Sequence, residues 1–140
     1  MSFTVLVIAL SLATSPILAA SDLSSVQWKN RVLVLFADRD ASQYLEQQRL
    51  LEASRAGLSE RDMLVLGVTG ESVRTLFGNT SGFDVETLRN TIGDKSSIIF
   101  EAVLIGKDGG VKQRWTTPVS PESVFEIIDA MPMRADEMRR

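Results

Sequence analysis

Apolar residues concentrate in three short runs, and the segments between them keep helical spacing. Residues 31–37 (RVLVLFA) are nearly all apolar and rich in Val and Leu. Such a run suits a strand buried on both faces. Residues 63–68 (MLVLGV) and 98–105 (IIFEAVLI) repeat the pattern. Residues 111–116 (VKQRWT) alternate instead. Val111, Gln113 and Trp115 face one way, and Lys112, Arg114 and Thr116 face the other. One polar side marks an edge strand, where charges discourage pairing with another chain. Lys107-Asp108-Gly109-Gly110 predicts a tight hairpin turn before it, because glycine accepts positive φ.

Helix signals fill the gaps. Asp40 and Gln43 have the spacing of an N-cap and its partner three residues on. They predict a helix over residues 41–56, ended by Gly57 just past its last turn. Ala41, Tyr44, Leu45 and Leu51 lie on one face of it, with Gln48 among them. Asp84 predicts a cap for a short helix over 85–92, closed by Gly93. Ser120 caps a last helix with Pro121 in its first position. Val124, Phe125, Ile128 and Met131 make its apolar stripe. Pro132 is expected to stop it and leave residues 133–140 as a charged, loosely held tail. Residues 69–82 are rich in Gly, Ser, Thr and Asn and show no clear period. Within them, 73–77 fits a short strand or a helical turn. The order is β-α-β-α-β-β-α. A right-handed crossover makes the first two strands parallel. The last hairpin adds an antiparallel edge. This is a thioredoxin-like α/β layout: a central mixed sheet with helices on both faces.

The first twenty residues stand apart. They carry no charged side chain. An apolar run from Phe3 to Ala13 meets Ser15 and Pro16, and Ile17-Leu18-Ala19-Ala20 follows. This is the order of a secretory signal peptide, although its start lacks Lys or Arg. The run is too short for a comfortable span of about 20 apolar residues, and Pro16 interrupts it. Cleavage after Ala20 is expected, with no stable membrane anchor left afterwards. Residues 21–140 then form a single domain in the periplasm or outside the cell.

Composition narrows the chemistry. The chain has 140 residues, 44% of them hydrophobic and 24% charged, as in an ordinary globular domain. Its net charge of −3 counts against nucleic acid as a partner. Cysteine and histidine are both absent. That removes disulfides, thiol redox chemistry, Cys/His metal sites and any triad built on His or Cys. An exported domain without disulfides relies on its apolar core, which about 120 residues can supply.

Several segments together carry a resemblance. They are Trp28-Lys29-Asn30-Arg31-Val32-Leu33, Glu60-Arg61-Asp62, the stretch from Leu104 through Lys107-Asp108-Gly109-Gly110 to Arg114, and Asp129-Ala130-Met131-Pro132 onward to Met138. With them the chain resembles a family of small exported bacterial proteins, a domain of unknown function. The same domain type occurs in animal sushi-repeat proteins and related extracellular matrix proteins. The family is similar to peroxiredoxins in fold. The resemblance implies a thioredoxin-like fold and an extracytoplasmic location, and no established activity.

Four constellations are candidates for chemistry. In thioredoxin-like folds a reactive thiol sits after the first strand, where a helix N-terminus lowers its pKa. Here that loop reads Ala37-Asp38-Arg39-Asp40. The two aspartates read as helix caps and dipole partners. Residues 95–98 (KSSI) also lack the proline that precedes the third core strand in thioredoxins. Lys107, Lys112 and Arg114 form a basic set, with Lys112 and Arg114 about 7 Å apart on one strand face. Such a set offers a fork and a point charge to an anion or an acidic protein surface, or it is a solvated edge. Arg31, Arg61 and Asp62 start strands, whereas sites of open α/β sheets lie at strand carboxyl ends. They read as structural. Gly78-Asn79-Thr80-Ser81-Gly82 lacks the lysine and spacing of a phosphate loop. Asn79-Thr80-Ser81 matches a glycosylation sequon, which matters only in a eukaryotic secretory pathway. No cofactor and no metal site is expected. The reading is a non-catalytic module that binds a protein or an anionic ligand. Its rival is a degenerate peroxiredoxin-like oxidoreductase, or another enzyme without a thiol.

Overall fold

The computed structural model describes residues 22–93 and 99–140. The expected signal segment and its cleavage point lie outside them, as do residues 95–98. A 3-10 turn, Leu23–Ser25, leads into β1, Arg31–Ala37. Two helices follow, α1 Ser42–Glu52 and α2 Arg55–Glu60. A hairpin comes next, β2 Met63–Thr69 and β3 Ser72–Phe77. After α3, Val85–Ile92, a second hairpin pairs β4, Phe100–Ile105, with β5, Val111–Trp115. The chain ends with α4, Pro121–Asp129, and α5, Pro132–Met138.

The five strands form one mixed sheet in the order β3-β2-β1-β4-β5. β1 and β2 are parallel, from Arg31 opposite Met63 to Phe36 opposite Val68. β4 runs antiparallel to β1, and β5 antiparallel to β4. Strands β2-β1-β4-β5 make the expected thioredoxin-like core. β3 extends it by one antiparallel edge strand.

Alternation along the buried strands divides the core in two. Val32, Val34, Phe36, Leu64, Leu66, Val68, Val103 and Ile105 pack against Leu88 and Ile92 of α3 and against Leu23, Val26 and Phe83. Leu33, Leu35, Val65, Phe100, Ala102 and Leu104 pack against Tyr44, Leu51 and Leu58 and against Val124 and Ile128 of α4. Helices therefore cover both faces. Continuous apolar runs are what a doubly covered sheet requires.

Local chemistry fixes several boundaries as expected. The Asp84 side chain accepts the Thr87 N–H at 3.0 Å, and Gly93 ends α3 at φ 78°. The Ser120 hydroxyl accepts the Ser123 N–H at 3.2 Å, with Pro121 in the first turn of α4. Gly109 turns the second hairpin at φ 84°.

Elsewhere the structure departs from the sequence expectation. The helix expected over 41–56 is two helices, and Gly57 lies inside α2 rather than past an end. Its role is close approach, since a Cβ there would strike the Phe125 ring of α4. Ala41, not Asp40, is the N-cap of α1, with no side-chain cap bond. The buried face of α1 keeps Tyr44 and Leu51 but is rotated about them. Gln47 is buried where Gln48 was expected, and Leu45 is 53% exposed. The Gln47 amide earns its burial by donating to the Val119 carbonyl at 2.9 Å and accepting the Val119 N–H at 2.8 Å. Residues 73–77 belong to a strand. Pro132 does not leave a loose tail but opens α5, as proline in a first turn readily does.

Gly67 of β2 shows how tight the packing is. A Cβ at this position would overlap the Tyr44 hydroxyl and come within 3.1 Å of a Leu76 methyl. Gly67→Ala should therefore destabilise the fold by about 1–3 kcal/mol through overpacking. Adding Tyr44→Phe should restore part of the loss. Urea unfolding of both variants checks this, and a Gly67→Ala protein as stable as the parent would contradict the packing described.

Candidate functional site

Two ends of the parallel pair β1–β2 present different chemistry. At the amino end, Arg31 opens β1 with only 1% of its surface exposed. Its guanidinium donates to both carboxylate oxygens of Glu137 in α5, each at 3.2 Å, and to the Arg61 carbonyl at 3.0 Å. Lys107 Nζ donates to the same Glu137 carboxylate at 2.6 Å and to Asp62 at 2.8 Å. Next to them, Arg61 forks onto Asp129 at 3.0 and 2.8 Å and lies 4.1 Å over the Phe125 ring. Arg134, 5% exposed at its side chain, donates to Asp129 at 3.1 Å and to Glu60 at 2.9 Å.

This network ties α2, β1, the turn after β4, α4 and α5 together. Arg61 and Arg134 hold the Asp129 carboxyl below its usual value, against a smaller opposing effect of burial. Burial alone pushes the Glu137 carboxyl up, but hydrogen bonds from Lys107 and Arg31 outweigh it and the net shift is down. Each buried cation finds a carboxylate of the chain itself, although the Arg31 Nε has no hydrogen-bond partner among the described residues. The reading of Arg31, Arg61 and Asp62 as structural agrees with this placement.

The expected basic set is not one patch. Lys107 is 8% exposed and belongs to the network just described. A register shift between Leu104 and Ile105 disturbs the alternation of β5 opposite Val111 and Gln113. Lys112 Nζ turns back to Asp108 at 2.7 Å. Arg114 donates to Glu101 at 2.7 Å and also to the Ile92 carbonyl at the end of α3. All three cations are thus neutralised within the chain.

At the carboxyl end of β1 and β2 the situation is reversed. The loop after β1 exposes Asp38, Arg39 and Asp40 and leads into α1, whose first turn has no side-chain cap. Arg39 and, on β3, Arg74 are exposed, and neither has an ion-pair or hydrogen-bond partner among the described residues. Arg74 stands opposite Gly67 in the β2–β3 register. The Tyr44 ring from α1 lies over that glycine with its hydroxyl buried and without a partner. Burial pushes the Tyr44 phenol up, while the charges of Arg74 and Arg39 pull it partly back. Alongside, a cavity of about 230 Å³ opens between α1, α2 and β3, with Leu51, Leu58, Val65 and Leu76 among its walls. This end combines unpaired positive charge, an orphaned donor and an apolar recess. Ligand sites of open α/β sheets are found at this end.

Sequence reasoning missed Arg74, because β3 was not fixed as a strand, and treated Tyr44 only as an apolar face residue. Arg134 and Glu137 are hidden in the sequence because Pro132 reads there as a helix terminator. Their three-residue spacing inside a Pro-started segment was the available signal. Among the described residues no three acidic side chains gather as a metal site.

The family model described as "Domain of unknown function (DUF4174)" matches residues 22–137. Among curated proteins, the chain is 29% identical over 127 residues to the mouse (Mus musculus) Sushi repeat-containing protein SRPX2, covering 87% of this chain and 27% of that protein. It is 30% identical over 116 residues to the human (Homo sapiens) SRPX2, covering 79% and 25%. It is 28% identical over 134 residues to the zebrafish (Danio rerio) Coiled-coil domain-containing protein 80, covering 83% and 15%. The chain thus spans about a quarter or less of these relatives' length. A solved structure described as "Crystal structure of Trgpx in apo form" aligns with a TM-score of 0.46 and 20% identity, covering 86% of this chain and 87% of that one.

The amino-end network predicts a specific stability profile. Asp129 and Glu137 have ordinary values of 3.8 and 4.5 and are lowered in the folded state. A lowered folded pKa contributes stability that is present above the unfolded value and lost as pH falls through the folded one. Stability should therefore be complete above about pH 5 and decline through the acid range below it. Glu137→Ala leaves Arg31 and Lys107 buried without their shared carboxylate and should cost about 3 kcal/mol at neutral pH. Glu137→Gln should also make the acid decline shallower. Denaturant unfolding from pH 3 to 7 measures both. A loss within about 0.5 kcal/mol, the range of ordinary surface changes, would contradict the network's role.

Proposed function

The chain belongs to the DUF4174 family, and on that premise we propose that it is an exported, non-catalytic module that binds an anionic ligand. One observation carries the reading: the loop where thioredoxin-like enzymes place their thiol holds Asp38, Arg39 and Asp40 beside unpaired positive charge. Thiol exchange and thiol peroxidation need a thiolate. The chain has no cysteine to supply one and no histidine to act as a base near neutral pH. What this end of the sheet retains is two guanidiniums, Arg39 and Arg74, with no ion-pair partner among the described residues, although Asp38 and Asp40 flank Arg39. An arginine fork matches carboxylate and phosphate geometry and is always charged.

Export is supported by the uncharged apolar start, Pro16 and the Ala19-Ala20 pair. No helix among the described residues is long and apolar enough to cross a membrane. A periplasmic or secreted domain is the location this reading requires. Its stability without disulfides rests on the two apolar core layers and on the ion network at the amino end.

A single preparation tests both parts. Protein recovered from the cell envelope of its native host should begin near Ser21. Given insulin with a thiol reductant, or hydrogen peroxide with a reductase system, it should show no turnover. Peroxide should be consumed only stoichiometrically, at exposed methionines such as Met133 and Met138. Intact Met1 in a cytoplasmic fraction would overturn the location. Sustained turnover would overturn the non-catalytic reading.

A further inference from the structure

The cavity between α1, α2 and β3 has a mixed lining of aliphatic, polar and charged side chains, and the charges are not equivalent. Arg55 is already engaged: it donates to Glu52 at 3.0 Å and lies 5.0 Å over the Phe77 ring. Arg74 also lines the cavity and is unpaired among the described residues. It projects from an edge strand, so its fork is open to an incoming group. The recess beside it holds about 230 Å³, several times the roughly 30 Å³ share of one water molecule.

Behind the cavity wall formed by Leu76 lies a second feature. Tyr44 lies one helical turn before Gln48, and Gln48 lines the cavity. The Tyr44 hydroxyl and a Leu76 methyl approach the same point above Gly67, the strand partner of Arg74. Leu76 is itself a cavity wall. Tyr44 is 2% exposed, and its hydroxyl has no hydrogen-bond partner among the described residues. Buried hydroxyls are normally satisfied, so this one marks the packing above Gly67, next to Arg74, as unusual. Arg39, at the same end of the sheet after β1, adds a second unpaired cation.

We propose that this cavity binds a small carboxylate with an apolar body. The carboxylate takes the Arg74 fork, in the positive field that Arg74 and Arg39 also exert on the neighbouring Tyr44, and the body lies against the walls formed by Leu51, Leu58, Val65 and Leu76. The Glu52 carboxylate on the same rim disfavours a dianion and selects for a single negative charge. A charge-assisted fork fixes the head, and area removed from water supplies affinity for the tail. This inference rests on the anion-binding reading above and adds the site and the ligand class.

Calorimetric titration of the domain comprising residues 21–140 with octanoate tests it, with octanamide as the neutral probe. Octanoate should bind, and octanamide about tenfold more weakly or not at all. Arg74→Gln should weaken octanoate binding by about tenfold or more, and Arg74→Lys by less, with unfolding midpoints unchanged. Gln48→Phe should block binding by filling the recess. Absence of octanoate binding to the parent, or equal binding by Arg74→Gln and Gln48→Phe, would overturn the site. Nuclear magnetic resonance of the recovered ligand separates the two levels of the account. Octanoate bound but chemically altered would overturn the non-catalytic reading and leave the site standing. Octanoate intact and unbound would overturn the site alone.

Discussion

Arg31 places a guanidinium at the root of the central strand with almost no access to water. A charge in that position is costly unless a counter-charge comes with it. The counter-charge comes from Glu137, 106 positions later in the chain. Much of the architecture follows from this one requirement. Glu137 must be held in place, so the final segment folds as α5 and docks through Arg134 onto Asp129 and Glu60. Lys107 shares the same carboxylate, so the turn after β4 is fixed to the start of β1. The Trp28 N–H donates to the Lys107 carbonyl at 2.6 Å, which fixes the approach to β1 as well.

The result is a sheet with unequal ends. The amino end of β1–β2 is closed by cations and carboxylates that pair with one another, with the Arg31 Nε alone of that guanidinium's nitrogens left without a partner among the described residues. Among the described residues, the carboxyl end has two arginines that form no ion pair, Arg39 between two aspartates and Arg74 on the edge strand, a tyrosine hydroxyl without an acceptor and a recess nearby. Charge that is neutralised internally stabilises, and charge left unpaired at the mouth of a cavity is available to a ligand. Ligand sites of open α/β sheets lie at the carboxyl ends of the strands. Function on such a scaffold depends on the residues at the site rather than on the fold.

The parts of the fold legible in the sequence are those encoded locally. Apolar runs marked β1, β2 and most of β4. Asp84 and Gly93, and Ser120 with Pro121, bounded their helices, because caps act on amides two or three residues away. The elements that escaped depend on distant partners. Gly57 looked like a helix end because the Phe125 ring that it accommodates lies far along the chain. Gln47 looked solvent-facing because its partners belong to Val119. Lys107 looked exposed beside a turn, since nothing nearby in sequence announces Asp62 or Glu137. Of the basic set, Lys112 and Arg114 do lie on an edge strand, but a register shift and two acidic neighbours separate them. Arg39 was visible only as part of a charged loop. Its relation to Arg74 and Tyr44 emerges once β3 is placed on the sheet edge.

The central claim is that the buried cations at the amino end make the last helix an integral part of the fold. Native-state hydrogen exchange at neutral pH tests it most directly. The Ala135 amide, bonded to the Met131 carbonyl inside α5, should be compared with the β1 amides. If α5 is locked through Glu137 and Arg134, Ala135 should exchange only with global unfolding, at the same free energy as β1. Exchange of Ala135 by local fraying, far faster than β1, would contradict the account.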